Sequence, residues 1–112
     1  MSEQLYNLEQ ISALADGNED FINKMIEVFV TQTPTMLEDI KSGVSEQDWE
    51  KVRAASHKLK PSIDMMGISE MSPVVRQIEG NAKTQTNLDE FPQLSDEFTN
   101  VVYRAIEQLQ NR

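Results

Sequence analysis

The sequence predicts an all-α fold: an antiparallel up-down-up-down four-helix bundle with a short extra N-terminal helix. Three observations carry this. Apolar residues recur at spacings of three and four along the chain and nowhere alternate strictly, as a half-buried strand would require. The breaks between periodic stretches are short and polar, which forces consecutive helices to run antiparallel. Finally, 112 residues with only four glycines and four prolines leave room for one modest core and little irregular chain. Residues 1–112 are therefore expected to form a single domain.

Leu5, Leu8, Ile11 and Leu14 mark one face of a short first helix, ended near Asp16-Gly17. Asn18 can cap the next helix. Ile22, Met25, Ile26, Phe29, Val30, Met36, Leu37 and Ile40 give that helix a stripe along its full length. Pro34 removes a backbone donor and should bend it, and Ser42-Gly43 should end it. Ser45, with Asp48 three positions later, suggests the cap of a third helix. Trp49, Val52, Leu59, Ile63 and Met66 form its core stripe. Ser56 fills the skipped step and lets a neighbouring helix come close, and Gly67 should end the helix. A fourth helix carries Met71, Val75, Ile78 and Ala82, with Pro73 in its first turn. After a polar loop at 84–88, the last helix carries Phe91, Leu94, Phe98, Val101, Val102, Ala105 and Leu109. The six methionines and Trp49 are expected to fill the core.

A formal charge of −9 argues against nucleic acid and anionic membrane surfaces as partners. The absence of cysteine excludes disulfides, thiolate zinc sites and cysteine nucleophiles. No apolar run reaches the roughly 18 residues that span a bilayer, and no N-terminal stretch resembles a signal peptide. A cytoplasmic location is the expectation. Met1 and the helical C-terminus suit the expectation of a free-standing protein, with a domain of a larger hybrid kinase as the alternative.

His57 is the sole histidine, and four of the ten cationic residues (Lys51, Arg53, Lys58, Lys60) fall within positions 51–60. Successive helical residues are about 100° apart, so His57 lies roughly 140–160° from Leu59 and Val52. The imidazole is thus expected on the solvent face, which it shares with Arg53, Lys60, Pro61 and Asp64. Neighbouring cations disfavour a charged ring, and the neutral ring nitrogen is the nucleophile. Arg53, Lys58 or Lys60 could offset the charge of an attached phosphoryl group. Phosphoryl transfer needs mainly positioning and electrostatic stabilisation, so a shallow exposed site suffices if a partner brings the metal. The plain alternative is a solvated helix face with one ordinary histidine.

The run His57-Lys58-Leu59-Lys60-Pro61-Ser62-Ile63-Asp64-Met65-Met66-Gly67 resembles the phosphorylation motif of histidine-containing phosphotransfer (HPt) domains. The family pattern is His-x-Leu-Lys-Gly, small residues, then an apolar residue and Gly ten positions after the His. His57, Leu59, Lys60, Ser62, Met66 and Gly67 match it, and chain length, helix order and acidic balance suit the family. The resemblance implies that His57 is the phosphoacceptor and that Lys60 stabilises the transferring group. It implies no cofactor on this chain: Mg²⁺ is expected on the receiver domain whose aspartate exchanges the phosphoryl group. Partners would be response-regulator receiver domains and a hybrid sensor histidine kinase. Glu79 falls where family members often place a Gln or Glu that reaches toward the imidazole and could orient the ring; the alternative is an ordinary solvated helix carboxylate.

Pro61 departs from the pattern, standing where the family has Gly. Both residues keep long side chains away from the space one turn after His57. Proline also removes the donor to the His57 carbonyl and crowds it, at a cost of about 3 kcal/mol in a helix interior, so a kink is expected.

Other chemistries find little support. One histidine cannot supply the paired Glu-x-x-His motifs of a di-iron bundle. A Ser-His-Asp triad needs a carboxylate beside His57, but Asp64 is two turns away, about 10 Å along the axis, and the nearer neighbours are cationic. No Gly-rich nucleotide loop is present, so ATP binding and autokinase activity are not expected. The chain reads as a phosphoryl carrier and a monomer whose partner surface includes Ser56, Pro61, Asp64 and Gly67, with Val30 and Thr33 nearby. The competing reading is a helical interaction module that binds a receiver or kinase without phosphoryl chemistry.

Overall fold

The computed structural model describes residues 3–112; Met1 lies outside them. Five α-helices follow in order: α1 (Glu9–Leu14), α2 (Glu19–Glu46), α3 (Trp49–Met65), α4 (Ser72–Thr84) and α5 (Phe91–Gln110), the last preceded by a 3₁₀ turn at Leu88–Glu90. The fold is all-α, as expected. Helices α2 to α5 form a ring in which α2 packs on α3, α3 on α4, α4 on α5 and α5 back on α2. A helix of 28 residues spans about 42 Å, so α2 runs the 43 Å length of the molecule.

The ring closes around side chains on the expected stripes. Leu37 and Ile40 of α2, Val52, Leu59 and Ile63 of α3, Val75 and Ile78 of α4, and Phe91, Phe98 and Val102 of α5 are all fully buried. Ile68, which the periodicity does not assign to a helix, joins them from the α3–α4 turn. Trp49 stacks on Phe91 with ring centroids 4.8 Å apart. Met66 and Met71 are buried, while Met25, Met36 and Met65 pack half-buried against the core. No described helix is long and apolar enough to cross a membrane.

Two boundaries differ from expectation. The first helix begins at Glu9 rather than Leu5. Asn7 sets this start: its Oδ1 accepts the Glu9 N–H at 2.8 Å, while its own N–H donates to the Met66 carbonyl at 3.0 Å. The segment before α1 is thereby pinned to the end of α3, with Leu14 left 64% exposed.

The second difference is at the α2–α3 junction. Gly43 does not stop α2; the helix continues to Glu46 and ends at Gln47 in the left-handed region, φ 58°. Gly43 is instead a contact point, because a Cβ there would stand 2.7 Å from Val52 Cγ2. Ser45 is consequently inside α2, and Asp48 caps α3 by accepting the Lys51 N–H at 3.1 Å. Asn18 caps α2 as read from the sequence, accepting the Phe21 N–H at 3.1 Å. Both α2 and α3 run unbroken through their internal prolines, Pro34 and Pro61. Gly67 ends α3, with φ 64°.

Candidate functional site

The core stripe of α3 dictates where His57 points. With Val52 and Leu59 fully buried, the imidazole is carried to the opposite side and its side chain is 62% exposed. Helix α4 lies antiparallel beside it. Burial of Ile78 turns the next residue, Glu79, about 100° away and toward α3.

Glu79 bridges two residues of α3. Its Oε2 lies 2.6 Å from His57 Nδ1, and its Oε1 lies 2.6 Å from Lys60 Nζ. The Glu79 side chain is only 17% exposed. The Lys60 ammonium, and then the His57 N–H, hold its carboxyl below the usual carboxylate range against the opposing effect of burial. An ionised carboxylate can only accept, so Nδ1 carries the proton and donates. In the neutral ring Nε2 is then the nitrogen with a free lone pair, on a largely exposed side chain. The nearest charge to the imidazole is thus a carboxylate, not the cations expected around it.

A model of the Hpt domain family matches residues 24–112. The chain belongs to the Hpt domain family. Among curated proteins it is similar to the phosphorelay intermediate protein YPD1 of Candida albicans, 31% identical over 87 residues. That match covers 78% of this chain but 46% of the relative, so the chain spans about half the length of the curated protein it matches. Among solved structures it resembles histidine-containing phosphotransfer protein B (HptB) of Pseudomonas aeruginosa PAO1. The two superpose with a TM-score of 0.84 over 98% of this chain and 95% of the other, at 16% identity, which establishes a shared fold.

Within this Hpt domain the other sequence-derived site residues divide. Pro61 is exposed one turn beyond His57. Lys58 is exposed and, among the described residues, makes no ion pair. Arg53 is turned away from His57: Nε donates to Glu50 Oε2 at 2.9 Å and a second nitrogen bonds Oε1. Asp64 is engaged across the groove, accepting from Ser72 Oγ at 2.7 Å and from the Arg76 guanidinium at 2.6 and 3.1 Å. Those donors hold its carboxyl below the usual range.

One expected partner contact is corrected. Ser56 is fully buried, its hydroxyl donating to the Val52 and Arg53 carbonyls at 2.8 and 3.1 Å, so it cannot meet a partner. Gly67 is half-buried, with Asn7 packed where a Cβ would stand. Thr33 on α2 is likewise buried and Val30 half-buried.

The Lys60–Glu79 pair and the Asp64–Ser72–Arg76 cluster were not read from the sequence. A signal for both was present. Residues at matching distances either side of the 66–71 turn face one another in an antiparallel pair, which sets Asp64 opposite about 73 and Lys60 opposite about 77, each within a turn of its observed partner. The same pairing concentrates charge. Helices α3 and α4 carry six of the chain's ten cations (Lys51, Arg53, Lys58, Lys60, Arg76, Lys83) and only three of its nineteen carboxylates (Glu50, Asp64, Glu79). No three His, Cys, Asp or Glu side chains among the described residues are grouped to hold a metal ion.

Proposed function

We propose that this protein is a phosphoryl carrier of a two-component phosphorelay, with His57 as the acceptor. The lone pair of Nε2 attacks the phosphorus of an aspartyl phosphate on a receiver domain. The N–P bond forms as the acyl P–O bond breaks and the aspartate leaves as a carboxylate. Nδ1 keeps its proton throughout, so the phosphorylated ring is cationic and Glu79 stabilises it. Transfer onward to a second receiver reverses the same steps, with neutral imidazole as the leaving group.

The observation that carries this reading is the 2.6 Å contact from His57 Nδ1 to a carboxylate whose other oxygen is held by Lys60. It fixes the ring and its tautomer before a partner arrives, which is the positioning that phosphoryl transfer demands. Lys60 stands within reach of the ring and can turn from Glu79 to the incoming phosphoryl oxygens. Lys58 is a second exposed cation on the same helix. The metal that polarises the phosphoryl group belongs to the receiver. Donor and recipient are receiver domains, one of them on a hybrid sensor kinase. The carrier itself binds no ATP, acts in the cytoplasm and works as a monomer, because a second copy over His57 would block the receiver.

The test is a two-step relay. The protein is loaded from a phosphorylated receiver, separated from it, and mixed with a second receiver. Label that moves on to the second receiver, with an intermediate whose phosphorus resonance identifies an Nε2 adduct, supports the proposal. A protein that binds receivers tightly yet never carries label would instead be an interaction module.

A further inference from the structure

The residue after Glu79 is Gly80, an exposed glycine in the interior of α4. Glycine is the least favourable helix residue after proline, so its presence at such a position calls for a reason. The chain's other three glycines have internal ones. Gly17 and Gly67 have positive φ, and Gly43 makes room for Val52. Gly80 has neither: its φ is helical, and an added Cβ would meet no atom within 4 Å. Nothing inside the molecule forbids a side chain there.

Its position points outside the molecule. Ile78 faces the core and Glu79 faces His57; one further step of about 100° turns Gly80 straight outward. Arg76, one turn before it, and Lys83, nearly one turn after it, are both exposed. The result is a strip of bare backbone between two cations, continuous with the His57–Glu79 site. Across the groove on α3, Pro61 is the compact counterpart, so His57 is flanked on both helices by residues without long side chains.

We propose that the Arg76–Gly80–Lys83 strip of α4 is part of the docking surface for the phosphorylated receiver, and that Gly80 sets how closely the receiver can approach His57. The inference rests on the carrier reading above. The occupant is an acidic protein surface. A phosphorylated aspartate and the carboxylates that hold its metal are anionic, and α3 and α4 are the described α-helices of this strongly acidic chain in which cations outnumber carboxylates. Backbone of the partner lies flush on the Gly80 Cα while Lys83 meets its acidic rim, with Arg76, already paired with Asp64, at the other end of the strip.

The test is the series Gly80→Ala, Gly80→Leu and Gly80→Trp, read three ways: thermal midpoint, labelling by phosphoramidate, and labelling by a receiver loaded with acetyl phosphate. The small donor needs only the imidazole, so all three variants should label as wild type does. Gly80→Ala should raise the thermal midpoint, since helix propensity improves and no clash arises. Receiver-dependent labelling should fall with side-chain size, by tenfold or more for Gly80→Trp, mainly through a raised KM. Wild-type receiver kinetics in Gly80→Trp would overturn the docking surface and leave the carrier reading standing. So would an equal loss with both donors, which would place the effect in the site rather than in docking. A wild-type protein that takes no label from any receiver would overturn both.

Discussion

Glu79 does two jobs through one carboxylate, and its substitutions separate them. Glu79→Ala frees the ring to rotate and to change tautomer. Transfer from a receiver should fall about tenfold, equivalent to roughly 1.4 kcal/mol of transition-state stabilisation, and the adduct should become a mixture of Nδ1 and Nε2 species by phosphorus NMR. Glu79→Gln keeps an acceptor for Nδ1–H but loses the attraction to Lys60, so it should retain a single adduct with a smaller loss of rate. A pure Nε2 adduct in Glu79→Ala would show that the carboxylate does not choose the nitrogen. The same carboxylate gives a pH signature. Its folded pKa is depressed, so the stability it confers is whole above the ordinary Glu value of 4.5 and is lost as pH falls through the lower folded value. In urea denaturation, the stability difference between wild type and Glu79→Gln should therefore shrink between neutral pH and pH 4 and below. A difference that does not change with pH would contradict the ionised bridge. At this scale the exposure of His57 was legible from its register to Val52 and Leu59. The grip of Glu79 on its ring was legible only through the family resemblance, and the second hold of the same carboxylate on Lys60 was not, because that depends on the rotation of α4 about its own axis, which only packing decides.

Helix pairs hold the site in register. Asp64, Ser72 and Arg76 tie α3 to α4 below His57, and both partners of the ion pair are partly exposed, at 36% and 48%. Solvent screening limits such a pair, so Arg76→Ala should lower stability only slightly. A double-mutant cycle with Asp64→Asn checks that the loss is shared rather than additive. Gly43→Ala should cost more, about 1–3 kcal/mol, because its Cβ would meet Val52 Cγ2 at 2.7 Å and the Asp48 carbonyl at 3.2 Å. Pairing it with Val52→Ala should recover part of that loss; no recovery would mean that the crowding lies with the backbone. Here too lies the reason the α2–α3 boundary was misplaced in sequence. Ser42-Gly43 and Ser45 carry ordinary stop and cap chemistry, but glycine at 43 serves the contact with Val52, and Asp48 competes successfully for the cap. Helix existence, order and core stripes follow from periodicity because they repeat over many residues. A boundary rests on one or two residues, and one tertiary contact can move it.

Charge is the property of the whole molecule that bears on function. The net charge is −9, yet α3 and α4 carry a cationic excess, so the remainder is more acidic than the total suggests. Such an asymmetry orients an acidic partner toward His57 and repels it elsewhere. The association rate with a receiver should drop about tenfold as salt rises from about 50 to 500 mM, since screening lengths shorten to a few ångströms. Stopped-flow binding measures this, and a rate indifferent to salt would remove steering from the account. The acidic total was plain in the composition, while its separation onto faces required the antiparallel pairing of α3 with α4. On the proposed carrier reading this organisation serves one atom, Nε2 of His57, and the most direct test addresses it alone. Wild type and His57→Gln are incubated with the same phosphorylated receiver, and the acid and base stability of any transferred label is followed. The account predicts acid-labile, base-stable label on the wild type and none on the variant. Label that persists on His57→Gln would contradict it.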